Sequence, residues 1–88
     1  MSRLQQIIEE IKELKNEANH RSSLRILKLI QNNKKLFLEE LDEDVVEMTL
    51  RNFESLCNAS TLDQADSAYV REFTKYYESL MFYLNRVI

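Results

Sequence analysis

Apolar residues recur at helical spacing near the start of the chain. Five of them follow a 3-4-3-4 spacing: Leu4, Ile7, Ile11, Leu14 and Ala18. This spacing places the five side chains along one narrow seam of an amphipathic helix. The pattern stops at a polar run in which Ser22 or Ser23 can cap a following helix. We therefore predict a first helix over residues 3–19.

A second apolar face runs through residues 23–41. At about 100° per residue, its members fall on one side of a helix: Ile26, Leu27, Ile30, Phe37, Leu38 and Leu41. The polar cluster at residues 32–35 is the one place where a kink or short break can interrupt this helix. Extending the helix straight beyond Leu41 would turn the apolar face by roughly 130°, so the phase predicts that a new helix begins there.

Two further helices follow from the same reasoning. The third is predicted over residues 44–58, with Asp42 or Asp44 as its N-cap and a capping-box spacing between Asp44 and Glu47. The fourth is predicted over residues 62–86, where apolar residues cover nearly half of the circumference. At a length of about 40 Å, it is expected to extend beyond its neighbours.

The chain contains neither glycine nor proline. These two residues supply the turns of β-hairpins and sharp loops, so their absence favours helix throughout. It also removes the glycine-rich loops of phosphate and calcium sites. We predict one all-α domain over residues 1–88, a four-helix up-and-down bundle with a long C-terminal helix.

Single cysteine and histidine residues limit the chemistry further. Cys57 cannot form an internal disulfide, and His20 cannot build a zinc site within a monomer. No stretch approaches the roughly 20 apolar residues that span a bilayer, and the start of the chain lacks a secretory-signal pattern. These features predict a soluble protein of the cytoplasm, or of the nucleus if the source is a eukaryote, with no membrane partner.

Charge is divided unevenly along the chain. Residues 12–35 hold seven Lys and Arg against two acids, whereas residues 36–66 hold nine acids against one Arg. One interpretation is that helices of opposite sign attract each other within the fold. The other is that the two charged surfaces meet different partners.

Candidate catalytic and metal-binding residues all have plainer explanations. Glu17 and His20 have the Glu-x-x-His spacing of di-iron bundles, but the chain has only one copy, and we expect an exposed, solvated pair. The acids from Asp42 to Glu47 fit helix capping, and Cys57 fits a buried, inert thiol. We therefore predict no catalytic residue, no metal or cofactor, and no small-molecule substrate.

Four basic residues form a strip along the second predicted helix: Arg21, Arg25, Lys28 and Lys35. Such a strip can follow a phosphate backbone or bind an acidic partner. No aromatic residue is interleaved with it for base stacking, and the acidic half of the chain opposes nucleic acid. We favour a solvated face, with nucleic-acid binding as an alternative.

Phe82 is out of phase with the apolar set of the fourth predicted helix and falls among charged residues. An aromatic side chain in such surroundings is typical of protein interfaces. We count five residues as a candidate protein interface: Phe82, Tyr83, Arg86, Val87 and Ile88. Because the sequence stops within an apolar stripe, we expect either an excised domain or an end that lies inside an oligomer interface.

Two sequence runs carry a family resemblance. The run SAYVREFTKYYESL at residues 67–80, preceded by LRNFESL at residues 50–56, resembles the helical domain of a GINS replication-complex subunit. The resemblance implies a structural role in helicase and polymerase assembly. The family usually has a long second helix, from which the predicted break at residues 42–44 departs. In size and outline, the four-helix plan is also similar to bacteriocin immunity proteins.

The absence of a catalytic set and the apolar fourth helix together favour one function class. We predict a non-enzymatic protein–protein interaction or assembly module that self-associates. The alternatives are a GINS-like structural domain, a small nucleic-acid-binding regulator and an immunity-type bundle.

Overall fold

The computed structural model describes residues 2–58 and 67–87, and every regular element within these two stretches is an α-helix. The helices are α1 (Arg3–Glu13), α2 (His20–Asn32), α3 (Lys34–Glu40), α4 (Glu43–Asn58) and α5 (Ser67–Val87). The all-α prediction is therefore confirmed for the described part of the chain. The start of the predicted fourth helix, residues 62–66, lies outside the described residues.

Helix α1 is shorter than the apolar seam suggested. It begins with a capping box in which Ser2 Oγ accepts from the Gln5 N–H and Gln5 Oε1 accepts from the Ser2 N–H. It ends at Glu13, after which the backbone N–H groups of Leu14 and Lys15 bond to carbonyls three residues back. These tight turns separate Leu14 and Ala18 from the helix, and both side chains are half-buried against the core.

The start of α2 corrects the predicted cap. Asn19, not Ser22 or Ser23, is the N-cap, and its side-chain oxygen accepts from the Ser22 N–H at 2.9 Å. Asparagine caps a helix about as well as serine does. Both serines lie in the first turn and are buried, and the Ser23 hydroxyl is hydrogen-bonded to the Tyr69 hydroxyl at 2.8 Å.

The predicted second helix is broken at Asn33. This residue has a non-helical backbone, with φ −125° and ψ 28°, and its side-chain amide donates to the Leu29 carbonyl at 2.8 Å. The break falls inside the polar cluster where a kink was predicted. It also changes the phase of α3, so Leu38, which we predicted to be in the core, is 39% exposed. Phe37 of the same helix is buried.

Helix α4 begins after Asp42, whose carbonyl accepts from the N–H groups of Val45 and Val46. Asp44 lies inside the first turn, and Glu47 forms an ion pair with Lys34 at 2.8 Å. The start therefore corresponds to the Asp42 alternative. Asp44 is inside α4 and is therefore not its N-cap, so the predicted Asp44–Glu47 capping box is wrong.

The core draws on all five helices. Its largest fully buried side chains include those of Tyr69, Phe37, Phe53 and Phe73. Phe53 of α4 meets Phe73 of α5 edge-on, with ring centres 6.2 Å apart at 87°, a favourable aromatic geometry. The most extensive helix contacts are between α2 and α4, followed by those between α4 and α5. The contacts with α4 hold α5 in place along the molecule.

The last helix is covered by its neighbours over most of its described length, and its overhang stays a prediction. Helix α5 has 21 residues in the described chain, or about 31 Å at the usual rise, and the molecule is 35 Å along its longest axis. Leu80, Met81 and Leu84 are all buried. The apolar stripe of α5 is therefore covered by the other helices nearly to its described end.

Candidate interaction surfaces

Phe82 is the most exposed large hydrophobic residue of the described chain, with 58% of its surface accessible. The inward positions of α5 are Leu80, Met81 and Leu84, so the helical phase turns Phe82 outward. The buried neighbours of Phe82 hold α5 against the core, and the orientation of α5 determines the direction in which the Phe82 side chain projects. The exposure predicted from the sequence is thus present in the fold.

Two neighbours hold the Phe82 ring. The Tyr83 ring lies edge-on to it, with centres 5.4 Å apart at 84°. The guanidinium carbon of Arg86 lies 5.4 Å from the centre of the Phe82 ring, within the range of a cation–π contact. We call Phe82, Tyr83 and Arg86 the Phe82 cluster. The structure brings together these three of the five predicted interface residues, whereas Ile88 and the side chain of Val87 lie outside the described residues.

A groove runs along one side of the Phe82 cluster, between α1 and α5. It has a volume of about 540 Å³, and Phe82 forms one of its walls. Its other lining residues are Lys12, Lys15, Tyr77, Glu78, Met81 and Asn85. We call it the Tyr77 groove. Burial raises the pKa of the Tyr77 hydroxyl, and the nearby Glu9 carboxylate raises it further.

The basic strip is divided by the fold. Arg21, Arg25 and Lys28 share a groove along α2, whereas Lys35 is exposed on α3, beyond the break at Asn33. The strip is solvent-exposed, as we favoured, but it is not one continuous row. Arg25 also forms an ion pair with Glu10 of α1 at 3.2 Å.

The groove beside these three cations combines apolar and charged groups. It has a volume of about 540 Å³ and lies where the turn after α1 meets the first half of α2. Its lining consists of Leu14, Glu17, Arg21, Ser22, Leu24, Arg25 and Lys28. We call it the Leu24 groove, because the Leu24 side chain is 47% exposed there. It shares no residue with the Tyr77 groove.

Glu17 and His20 do not form the exposed pair that the sequence suggested. Glu17 is exposed, but His20 is half-buried, and its ring packs against that of Tyr69 with centres 5.4 Å apart. The apolar body of the imidazole thus contributes to packing at the start of α2. Within residues 2–58 and 67–87, no group of three or more His, Cys, Asp or Glu side chains is arranged to hold a metal ion.

The opposite charges of the two halves meet in a single described contact. Lys34 and Glu47 form an exposed ion pair between α3 and α4. Their hydrogen bond and mutual attraction raise the pKa of Lys34 and lower that of Glu47. Most of the charged side chains of the described residues face solvent.

Cys57 is half-buried on α4 against the core. Burial raises the pKa of its thiol, and the Glu54 carboxylate adds to this effect. A raised pKa keeps the thiol protonated and unreactive at neutral pH. The direction of this pKa shift agrees with the inert thiol that we expected.

Sequence reasoning missed two features of these surfaces. One is Leu24, which escaped notice because single exposed leucines are ordinary; its position between Arg21, Arg25 and Lys28 was the available signal. The other is the buried hydroxyl of Ser22, assigned earlier to capping. Because Asn19 is the N-cap of α2, the Ser22 hydroxyl does not cap the helix.

Comparisons with known proteins leave the family open. No protein-family model matches the chain, and neither a curated protein nor a solved structure does so. The resemblances to the GINS helical domain and to immunity proteins stay predictions. A separate observation concerns membranes: no helix in the described residues is both long and apolar enough to cross a bilayer.

Proposed function

We propose that this chain is a non-catalytic helical interaction module that self-associates through the Phe82 cluster. The observation that carries the proposal is the 58% exposure of Phe82 on a helix whose neighbouring apolar side chains are buried. Leu80, Met81 and Leu84 are covered within the chain, whereas the neighbouring Phe82 ring is left for a partner.

The residue types of the cluster favour a binding role. Aromatic residues and arginine are enriched in the few positions that contribute most of the binding energy at protein interfaces. Phe82 is already held against Tyr83 and Arg86. A ring that is fixed before binding loses less conformational entropy when a partner covers it.

A second copy is the partner that the surface suits. The cluster places a protruding ring beside a concave groove lined by Tyr77 and Met81. In a two-fold dimer each copy presents the same patch to the other, so each Phe82 can enter the Tyr77 groove of its partner. Lys12 at one edge of the groove and Glu78 on α5 supply charges of opposite sign for the rim.

The same proposal extends to the architecture. We propose that α2 and α3 act as one broken rod in a four-helix up-and-down bundle. In support, Leu4 at the start of α1 lines the same cleft as Leu36 of α3. At the other end of the proposed bundle, the Ser23 hydroxyl near the start of α2 is hydrogen-bonded to the Tyr69 hydroxyl near the start of α5.

Sedimentation velocity over a wide range of protein concentration tests the self-association. We expect the 10.5 kDa chain to approach twice its mass as concentration rises. Phe82→Ala is expected to raise the dissociation constant about tenfold or more, as loss of a central aromatic anchor does. Because Phe82 is exposed, the variant should keep the helical circular-dichroism spectrum.

Val70→Ala is the matched control. Val70 is also on α5 and is 40% exposed, but it lies toward the other end of the helix. Its replacement should leave the dissociation constant unchanged. A wild-type chain that stays monomeric at the highest concentration, or equal effects of the two substitutions, would contradict the proposal.

A further inference from the structure

We propose that the Leu24 groove binds an acidic amphipathic helix from a protein partner. The inference goes beyond self-association, because the groove shares no residue with the Phe82 cluster or the Tyr77 groove. Three observations support it: an exposed leucine, a row of cations and a buried hydroxyl without a hydrogen-bond partner.

The leucine supplies an apolar contact. Leu24 is 47% exposed, and the half-buried Leu14 lies in the same groove. The two residues come from different segments, so together they form a concave apolar strip. An apolar side chain from a partner helix would remove both leucines from water.

The cations define the charge of the partner. Leu24 is flanked on α2 by three cations, Arg21, Arg25 and Lys28. The first two cations are four residues apart, and the last two are three residues apart. Arg21 and Lys28 have no carboxylate within ion-pair distance in the described chain, whereas Arg25 is bound to Glu10. A helix with leucines on one face and glutamates one turn apart beside them matches this pattern of charge.

Ser22 supplies a polar group at the groove wall. Its side chain is 1% exposed, and its Oγ has no hydrogen-bond partner in the described chain. Its backbone N–H is already bonded to Asn19. A buried hydroxyl without a partner carries a desolvation cost, which a carboxylate on the bound helix would relieve by accepting a hydrogen bond from it.

Nucleic acid fits the same groove less well. Glu17 forms part of the lining and would repel phosphates. The lining contains no aromatic ring on which a base could stack, and Lys35 lies outside it. Exposed leucines also gain little from a phosphate backbone. The groove therefore favours a helix with both apolar and acidic residues.

Titration of the isotope-labelled protein with a designed peptide tests the proposal. The probe is a helical peptide of about 15 residues, roughly four turns, with leucines along one face and glutamates beside them. We expect it to shift the amide resonances of residues 14–28 in a salt-sensitive manner. Leu24→Ala and the double variant Arg21→Glu/Lys28→Glu are each expected to weaken binding about fivefold to tenfold.

Two controls isolate the groove. Lys35→Glu alters the charge of an exposed site on α3 and should leave peptide affinity unchanged. A peptide in which every glutamate is replaced by glutamine should bind about fivefold to tenfold more weakly than the glutamate peptide. Phe82→Ala should not alter peptide binding, so the fate of this proposal is separate from that of self-association.

Several outcomes would overturn the inference. One is the absence of shifts in residues 14–28 at about 1 mM peptide, a weak-affinity limit. Another is equal binding of the glutamate and glutamine peptides. Tighter binding of a single-stranded oligonucleotide of about 12 nucleotides would indicate nucleic acid. Shifts of residues 21–28 on concentrating the protein alone would indicate a second copy.

Discussion

At the scale of single residues, the hydrogen bond between Ser23 and Tyr69 is the most consequential polar contact of the core. Both residues are fully buried, and their hydroxyl oxygens are 2.8 Å apart. It joins the first turn of α2 to the start of α5 across 46 residues of sequence. Burying a hydroxyl without a hydrogen-bond partner costs free energy, so each of these two hydroxyls depends on the other.

Tyr69→Phe removes one partner and leaves the Ser23 hydroxyl buried without another. We expect the free energy of unfolding to fall by about 1–3 kcal/mol, measured by urea denaturation. Adding Ser23→Ala removes the unpaired group, so the double variant should lose less than the sum of the single variants. Strict additivity would show that the hydroxyls are not coupled.

Tyrosine ionisation predicts how stability changes in alkali. Burial raises the pKa of Tyr69, opposed in part by its bond to Ser23, and burial also raises the pKa of Tyr77. In the unfolded chain both titrate near the ordinary value of about 10. The folded state therefore retains these two protons to higher pH, so the contribution of these tyrosines to stability is full below about pH 10 and falls as pH rises from there toward the raised folded values.

The measurement is the free energy of unfolding in urea as a function of pH. Tyr77→Phe removes one of the two ionisations while keeping the ring, so its stability should fall less steeply above about pH 10 than that of the wild type. Equal slopes for the two proteins, or a wild-type stability that rises in alkali, would contradict the assignment.

At the scale of helices, local chemistry decided where elements begin and end. The apolar periodicity was sufficient to predict that helix dominates, but it placed one helix over residues 23–41, and only the polar cluster at residues 32–35 pointed to the break at Asn33. It was not sufficient to end α1 at Glu13, because Leu14 and Ala18 contact the core from a turn and so keep the helical spacing without being helical. Periodicity records which side chains are buried, not the backbone conformation that buries them.

The capping assignment shows a second limit. Asn19, Ser22 and Ser23 can all serve as N-caps, and the sequence alone does not rank them. Which of the three residues caps the helix depends on Tyr69, because this residue of α5 provides a hydrogen-bond partner for the Ser23 hydroxyl. The surface at Phe82 was easier to predict, since a helical phase that places Leu80 and Leu84 inward places Phe82 outward.

Asn19→Ala tests the cap. The substitution removes the acceptor of the Ser22 N–H, so we expect a loss of about 1 kcal/mol in the free energy of unfolding, within a range of about 0.5–2 kcal/mol. Asn16→Ala is the control, because Asn16 is exposed in the turn before α2 and should change stability by less than about 0.5 kcal/mol. Similar losses in both variants would mean that Asn19 is not acting as a cap.

At the scale of the whole molecule, two separate surfaces remain after the core is filled. The Phe82 cluster is aromatic and suits a second copy. The Leu24 groove is basic and suits an acidic helix. Under the two proposals, the chain joins two copies of itself and leaves the groove of each free for a helical partner.

The measurement that tests the central claim most directly is the concentration dependence of amide chemical shifts. We predict that raising the concentration of the wild-type protein shifts the resonances of residues 77–86 and of residues 12–15, because these residues surround Phe82 and the Tyr77 groove. The shifts should disappear in Phe82→Ala. Shifts that are absent throughout, or confined to residues elsewhere, would contradict self-association at this surface.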